Sequence, residues 1–418
     1  MDAELAGRVD ETKEAAREVL RHNARGPFHG LPRTAAWGYP EPYTRDIMIS
    51  ALGYLVSGDE LLMDALRRTF LELARTQTRL GHMPSLAHAP HNLGASDTTP
   101  LFLLALAFYR TATGEHDFLE EAAQKALTWM EYQSPSDHVI VGQLPTSDWR
   151  DEHWVLGHGL YVNCLVYAYL QLYGHHDRAR ILKQNAQHFV IRDELGRRFP
   201  EEAGLLVPRR PYYALWAYKL YSSDRFDLLG NSLAVLSGFS PRSRTRRMIR
   251  WIENESEAMR RRHELAVDLP PVLFPYMHPT DPDWRPRYEL FARPGEHHNG
   301  GVWPFVCGFY IAAVLAAGFP QLAQRKLAAL TDLVQPARDH QVPFGFNEWI
   351  KAQDGSPRGQ DWQTWSAALY LYAAACVEAG RPLFFESLVE SPQPGNGRPA
   401  TSGHRPRPRP RRAAALGD

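Results

Sequence analysis

One repeating unit constrains this chain more than any other feature: a long polar loop, an apolar helix, a glycine stop and an amphipathic helix. After an exposed amphipathic helix at residues 3–22, a Pro/Gly-rich loop (26–46) leads into an apolar segment at 47–56, Gly58, and a mixed segment at 59–76. The pattern returns as loop 81–100, apolar 101–112, Gly114 and amphipathic 117–133. It returns again around 146–152, with apolar 160–173, Gly174 and amphipathic 177–189. A fourth round spans 208–219 and a helix near 228–236, and a fifth, less regular, spans 241–265. A Pro-rich loop (269–300) then precedes helices at 301–317 and 320–334, and a last loop precedes 361–379. A helix that is apolar on all sides must be inner, and its amphipathic partner must be outer. No alternating strand pattern runs beyond a few residues. The reading is therefore all-α: an (α/α)6 barrel over residues 1–381, with the loops that open the inner helices converging on one face into a cleft. Residues 382–418, rich in Pro and Arg, read as a disordered tail.

Charge and cysteine usage narrow the function classes. The 47 basic and 47 acidic residues cancel, so no global field favours nucleic acid or an anionic membrane. No apolar run reaches the roughly 20 residues that span a bilayer. The segment Met1-Asp2-Ala3-Glu4-Leu5 is charged, unlike a signal peptide. Cys164, Cys307 and Cys376 are scattered in apolar contexts and read as reduced core residues. These features lead us to expect a soluble cytoplasmic protein with no nucleic-acid or membrane role and no bar to homo-oligomers.

Chemistry concentrates in the loops. Glu296-His297-His298-Asn299-Gly300-Gly301-Val302-Trp303-Pro304 places a carboxylate, two imidazoles and a carboxamide before a core helix. Such groups beside aromatic rings suit a hydroxyl-rich ligand, although a Gly-rich turn with two loop histidines is the plainer reading. Inverting glycoside cleavage needs a carboxylic acid and a carboxylate about 6.5–9.5 Å apart. Loop carboxylates of the right type are Asp148, Asp151 and Glu152, then Glu296, then Glu348. The plainer roles for Asp148 and Asp151 are helix capping or pairing with Arg150. Glu348 sits among aromatic residues, where burial raises a carboxyl and suits acid–base work. Adjacent His297 and His298 chelate one ion poorly, and no His-x3-His helix motif or Cys pair supports a metal; no cofactor is expected.

The order of these motifs resembles the neutral/alkaline invertases, glycoside hydrolase family 100, and more distantly the (α/α)6 glycosidases of families 63 and 37 and the debranching-type glucosidases. Tyr43-Thr44-Arg45-Asp46 is similar to the family's "IRDF", Gly81-His82-Met83-Pro84-Ser85 to "GLMPAS", and Ser96-Asp97 to its "VDSG/VDA" turn. Gly157-His158-Gly159-Leu160-Tyr161-Val162-Asn163 is similar to "GHPLEIQ", and Asp224-Arg225-Phe226 with Leu229-Gly230-Asn231 to "DTRFFALGN". His298-Asn299-Gly300-Gly301-Val302-Trp303-Pro304 matches "HNGGSWP", while Asn347-Glu348-Trp349 and Gln363-Thr364-Trp365 are similar to "PEYYD…QTWT".

The resemblance implies an inverting glycosidase acting on the glucosyl side of an α-glucoside, sucrose in the invertases. Glu348 would be the general base. For the acid, the spacing back from Gly157 favours Asp151, and the Asp-x-Arg pattern keeps Asp148 as the alternative. Arg45, Asp46, Asp97, His298, Asn299 and Gln363 would bind sugar, with Trp303 and Trp365 as platforms. Trp149, Arg150, His158, Glu296 and His297 complete the expected substrate-facing set. Two departures fall where substrate choice would be made: "LEIQ" becomes Leu160-Tyr161-Val162-Asn163, and the tyrosine of "YHNGG" becomes His297. Other readings on the same barrel are a hydrolase of a glucosyl- or mannosyl-glycerate or of a trehalose-like glycoside, and a sugar 2-epimerase that moves protons with histidines. A sugar-binding protein without catalysis is a further one.

Overall fold

The computed structural model describes residues 2–134, 139–187, 204–218 and 221–390. In chain order the helices are α1 (Ala3–Asn23), α2 (Thr44–Ser57), α3 (Glu60–Thr76), α4 (Thr98–Thr113), α5 (Glu120–Tyr132), α6 (Leu160–Leu172) and α7 (His176–Gln187). They continue as α8 (Leu228–Leu236), α9 (Arg242–Arg261), α10 (Tyr288–Phe291), α11 (Pro304–Ala316), α12 (Pro320–Leu333), α13 (Thr364–Ala379) and α14 (Glu386–Glu390).

Six of these close a ring: α2 packs on α4, α4 on α6, α6 on α8, α8 on α11, α11 on α13, and α13 back on α2. Their sequences explain the placement. In α11 every residue from Pro304 to Leu315 is buried, so no face is left for water. Helix α3, by contrast, buries only Leu62, Ala65, Leu66, Thr69, Phe70, Leu73 and Thr76, one stripe of an amphipathic helix. The seam between α2 and α13 is tight: a Cβ on Gly53 would sit 2.3 Å from the Ala368 carbonyl oxygen. Short turns join inner to outer helices, and Gly58 and Gly114 end α2 and α4 at φ 65° and 76°. The expected (α/α)6 toroid is what forms.

Three expectations need correcting. The first helix is not a free surface element: α1 buries Val9, Val19 and Leu20 and packs on α13 and α12, so it serves as an outer helix. The stretch 208–219, read within a purely helical repeat, instead enters a sheet. Strands β1 (His158–Gly159), β2 (Ala214–Tyr218), β3 (Tyr221–Asp227) and β4 (Leu273–Phe274) pair antiparallel in that order. Phe226 holds β3 down, packing on Tyr212, Trp251 and Phe274. Finally, the chain stays packed beyond residue 381. Phe385 is fully buried 4.9 Å from the Phe108 ring, and α14 rests on α8 and α6. Residues 391–418 of the expected tail, and residues 188–189 of the third outer segment, lie outside the described residues.

Among the described residues no helix is long and apolar enough to cross a membrane. The three cysteines are buried and unpaired in α6, α11 and α13.

Candidate active site

A cavity of about 640 Å3 opens on the barrel face where the inner helices begin. Loops before five of the six inner helices line it. The loop before α2 and the first turn of that helix supply Thr34, Tyr39, Tyr43, Arg45 and Asp46. The α4 loop supplies Ser85, Leu93, Gly94 and Ala95, and the α6 loop Thr146, Ser147, Trp149, Asp151 and Glu152. Phe291 at the end of α10 and His297, His298 and Trp303 from the loop before α11 follow, with Glu348, Gln363 and Trp365 from the segment entering α13.

Backbone pairing sets these loops against one another. Val302 and Ile350 exchange both backbone hydrogen bonds, at 2.8 Å each. This joins the His297–Trp303 segment to the hairpin of β5 (Trp349–Ile350) and β6 (Pro357–Arg358), next to Glu348. The Gln360 N–H donates to Glu348 Oε2 at 3.2 Å. Gly359 permits that approach, because a Cβ there would lie 2.3 Å from the same oxygen, and its φ is +70°. Arg45 donates to both oxygens of Asp97, from Nε at 2.7 Å and from Nη2 at 3.1 Å, a fork that fixes the guanidinium against the wall.

Three carboxyls in the cavity are shifted upward. Burial pushes Glu348 to about 7, with Asp151 adding to the rise and the Gln360 N–H opposing it. Burial likewise pushes Asp46 up to about 8 against the pull of Arg45, with Glu348 and Asp151 reinforcing it. The Asp151 carboxyl is raised by enclosure, opposed by Arg45 and supported by neighbouring acids. Glu348 thus feels Asp151, and Asp46 feels both. The Tyr39 phenol, beside Glu348 and Asp151, is pushed to about 12. The histidines go the other way: burial lowers His297 to about 4 and His298 well below its usual value, so both imidazoles are neutral near pH 7.

The floor is aromatic. His298 stacks on Trp303 at 5.2 Å and 18°, and Phe305 on Trp365 at 4.2 Å and 20°, with Trp149 edge-on to His298, Trp303 and Phe305. Several polar atoms here are buried with no protein partner: Trp149 Nε1, Trp365 Nε1, Gln363 Oε1, His297 Nδ1 and His298 Nδ1. Buried donors and acceptors without partners are costly, and here they cluster in the residues that line the cavity. Trp303 Nε1 is engaged, donating to the His297 carbonyl at 3.1 Å.

Arg45, Asp46, Trp149, Asp151, His297, His298, Trp303, Glu348, Gln363 and Trp365 are thus brought together as expected. Six other expected residues stand off the cavity wall. Asp148 is fully buried, accepting from Gln143 Nε2 and Arg150, and those contacts hold its carboxyl low against burial. Arg150 is the buried cation between Asp148 and Asp227, at 2.9 and 2.8 Å. Asp97 is consumed by Arg45 and by the Tyr161 hydroxyl. Asn299 uses its amide to close its own loop, donating to Met277 and Ala292 carbonyls and accepting from Met277 N–H. Glu296 pairs with Lys351 at 2.9 Å. His158 lies in an adjoining cavity.

Residues that sequence reasoning did not single out also line the site, notably Tyr39, Tyr43, Ser147 and Phe291. The length of loop 26–46 was the available signal for the two tyrosines; Ser147 and Phe291 carried none. Glu152, a loop carboxylate in the sequence reading, reaches the wall and pairs with Arg287. Among the described residues no group of three His, Cys, Asp or Glu side chains is placed to hold a metal.

Comparison with known proteins agrees with this architecture. Residues 162–379 match the alkaline and neutral invertase family. A probable alkaline/neutral invertase D of Arabidopsis thaliana is 28% identical over 180 residues, covering 40% of this chain and 30% of that protein. Cytosolic invertase 1 of Oryza sativa subsp. japonica is 28% identical over 176 residues, 40% of this chain and 28% of that one. The matched stretches therefore span under a third of these relatives' lengths. Among solved structures, the family 63 mannosylglycerate hydrolase from Thermus thermophilus, bound to Tris and D-glycerate, superposes with a TM-score of 0.59. It is 16% identical, over 86% of this chain and 99% of that one. A bacterial glucoamylase complexed with acarbose gives 0.60 at 13% identity, over 92% and 58%. These likenesses show a shared fold, and the family match, over more than half the chain, shows that the protein belongs to the alkaline and neutral invertases, glycoside hydrolase family 100.

Proposed function

We propose that the protein hydrolyses a small α-glucoside with inversion, with Asp151 as general acid and Glu348 as general base. The observation that carries this reading is that these two carboxyls enter one cavity from different loops, each raised from its ordinary value, with the Asp151 charge adding to the rise at Glu348. Asp151 is exposed to the open cavity, where a leaving oxygen can take its proton. Glu348 is half-buried and has Oε2 engaged by Gln360, which leaves Oε1 to orient and deprotonate water. Arg45, Asp46 and Gln363 would hold the sugar hydroxyls, and Trp303 and Trp365 would pack against its apolar faces. Relatives named as invertases point to sucrose as one substrate to try, and the mannosylglycerate hydrolase to glycerate glycosides as another.

The 2-epimerase alternative asks His297 or His298 to take a proton from carbon. Burial makes both weak bases, which favours the carboxyl chemistry.

The test is to incubate the protein with α-linked disaccharides and glucosylated small molecules and follow the products by NMR. Initial release of β-glucose supports the proposal. A C2-epimerised free sugar with no glycoside cleavage overturns it.

A further inference from the structure

A second cavity, of about 600 Å3, lies directly beside the first and shares Leu93, Gly94, Ala95 and Ser147 with it. The shared wall is braced where two loops meet: Ser96 N–H donates to the Ser147 carbonyl at 2.8 Å, and the two hydroxyls lie 3.0 Å apart. The two chambers differ sharply in chemistry. Arg45, Asp46, Asp151, Glu152 and Glu348 line the first. No Asp, Glu, Lys or Arg is among the described residues lining the second, whose lining includes Trp129, Val141, Leu144, Leu156 and Tyr218. Leu93 and Leu144 are 72% and 75% exposed, apolar side chains standing open to solvent at this site. Among the described residues its polar lining carries no carboxylate, ammonium or guanidinium and includes His82, Ser96, Thr99, Gln133, Gln143, Ser147 and His158. Gln143, 7% exposed, has Nε2 on Asp148 while its buried Oε1 has no protein partner.

We infer that this second cavity receives the leaving group of the substrate, and that the leaving group is uncharged and largely apolar. The inference rests on the hydrolase reading. A glucosyl unit seated among Arg45, Asp46 and Glu348 would carry its aglycone across Ala95 and Ser147 into the neighbouring chamber. A glycerate carboxylate would find no lysine or arginine there, and a fructosyl unit would set part of its hydroxylated surface against leucine and tryptophan. An alkyl or aryl group would cover the exposed leucines and gain from burial.

The experiment measures kcat/KM for methyl through hexyl α-glucosides, whose leaving alcohols are similar in acidity. In parallel, calorimetry measures binding of the methyl and hexyl 1-thio-α-glucosides, which needs no turnover. Each buried methylene contributes about fourfold, so both series are expected to climb by at least about tenfold from methyl to hexyl. In L144S, a change at an exposed site, the hexyl-to-methyl ratio should fall by about threefold or more, and W129A should act in the same direction. Hydrolysis with a flat series, or a gradient that L144S and W129A leave untouched, overturns the inference while the hydrolase reading stands. A binding gradient that these variants abolish, with no hydrolysis of any member, supports the apolar site and sinks the hydrolase reading instead.

Discussion

Asp148 and Asp151, three residues apart, face opposite fates. Asp148 is sealed beneath the cavity floor against the Arg150 guanidinium at 2.9 Å, whereas Asp151 stands exposed in the cavity. Only the second can reach a substrate. Arg150 draws the first away and joins it to Asp227 at the start of α8, so the loop that presents Asp151 is anchored to the barrel by a buried acid–base–acid chain.

That contrast separates the two aspartates by experiment. D151N should lose about 10²–10⁴-fold in kcat and be at least as stable as the parent near neutral pH, since a carboxyl raised in the fold is less favourably ionised there than in the unfolded chain. D148N should do the reverse, destabilising by about 3 kcal/mol in urea unfolding because Arg150 loses a buried partner. If D148N instead folded normally and lost its rate, the acid would be misassigned.

Glu348 is expected to set the acidic limb of the rate profile. Its carboxyl lies near 7, so kcat/KM for an α-glucoside should rise with pH through about 7 as the base ionises. In D151N the repulsion from Asp151 is gone and this limb should move to lower pH. E348Q should cut the rate by about 10²–10⁴-fold at every pH. A limb that stays in place in D151N would argue against the two carboxyls sharing one cavity.

Asp46 makes the folded state sensitive to pH. Its folded value, about 8, lies above the ordinary 3.8, so the folded protein holds the proton more tightly than the unfolded chain. Stability from this group is complete below about 3.8 and is lost as pH rises towards 8. D46N keeps the neutral shape, so it should flatten this decline and be the more stable protein at pH 8.5 by at least about 1 kcal/mol. Urea midpoints at pH 5 and 8.5 provide the measurement; equal slopes in both proteins would refute the assignment.

Gly359 tests the seat of Glu348 without touching its charge. In G359A the added Cβ meets Glu348 Oε2 and the residue must hold a φ of +70°, at a cost of about 1–2 kcal/mol. The expected result is a modest fall in thermal midpoint with a disproportionate loss of kcat, tenfold or more. A loss confined to stability would mean that the carboxyl tolerates displacement.

The barrel was legible because burial leaves a periodic record. Helices such as α11 and α13 carry apolar residues on all sides, and only an inner position can use them. Loop positions in the site were legible for the same reason, since each inner helix had to be preceded by a segment on one shared face. The β2–β3 hairpin was not, because Phe226 is held in its strand by aromatic contacts that lie far apart in the chain. Asn299 sat inside the most distinctive motif, yet its amide is engaged by Met277 and Ala292. A motif records that a residue type is required, and it does not distinguish a ligand contact from a loop clamp.

The chain's own pattern thus determined the toroid, the face on which function gathers, and Glu348 as a carboxyl among aromatics, because period and composition are local properties. Tertiary structure alone decided which of Asp148 and Asp151 meets the cavity, that Asp97 serves Arg45, and that His158 belongs to a second chamber. Those outcomes depend on which groups share a low-dielectric pocket and which are neutralised by a partner, and partners such as Arg150 and Asp227 lie far apart in sequence.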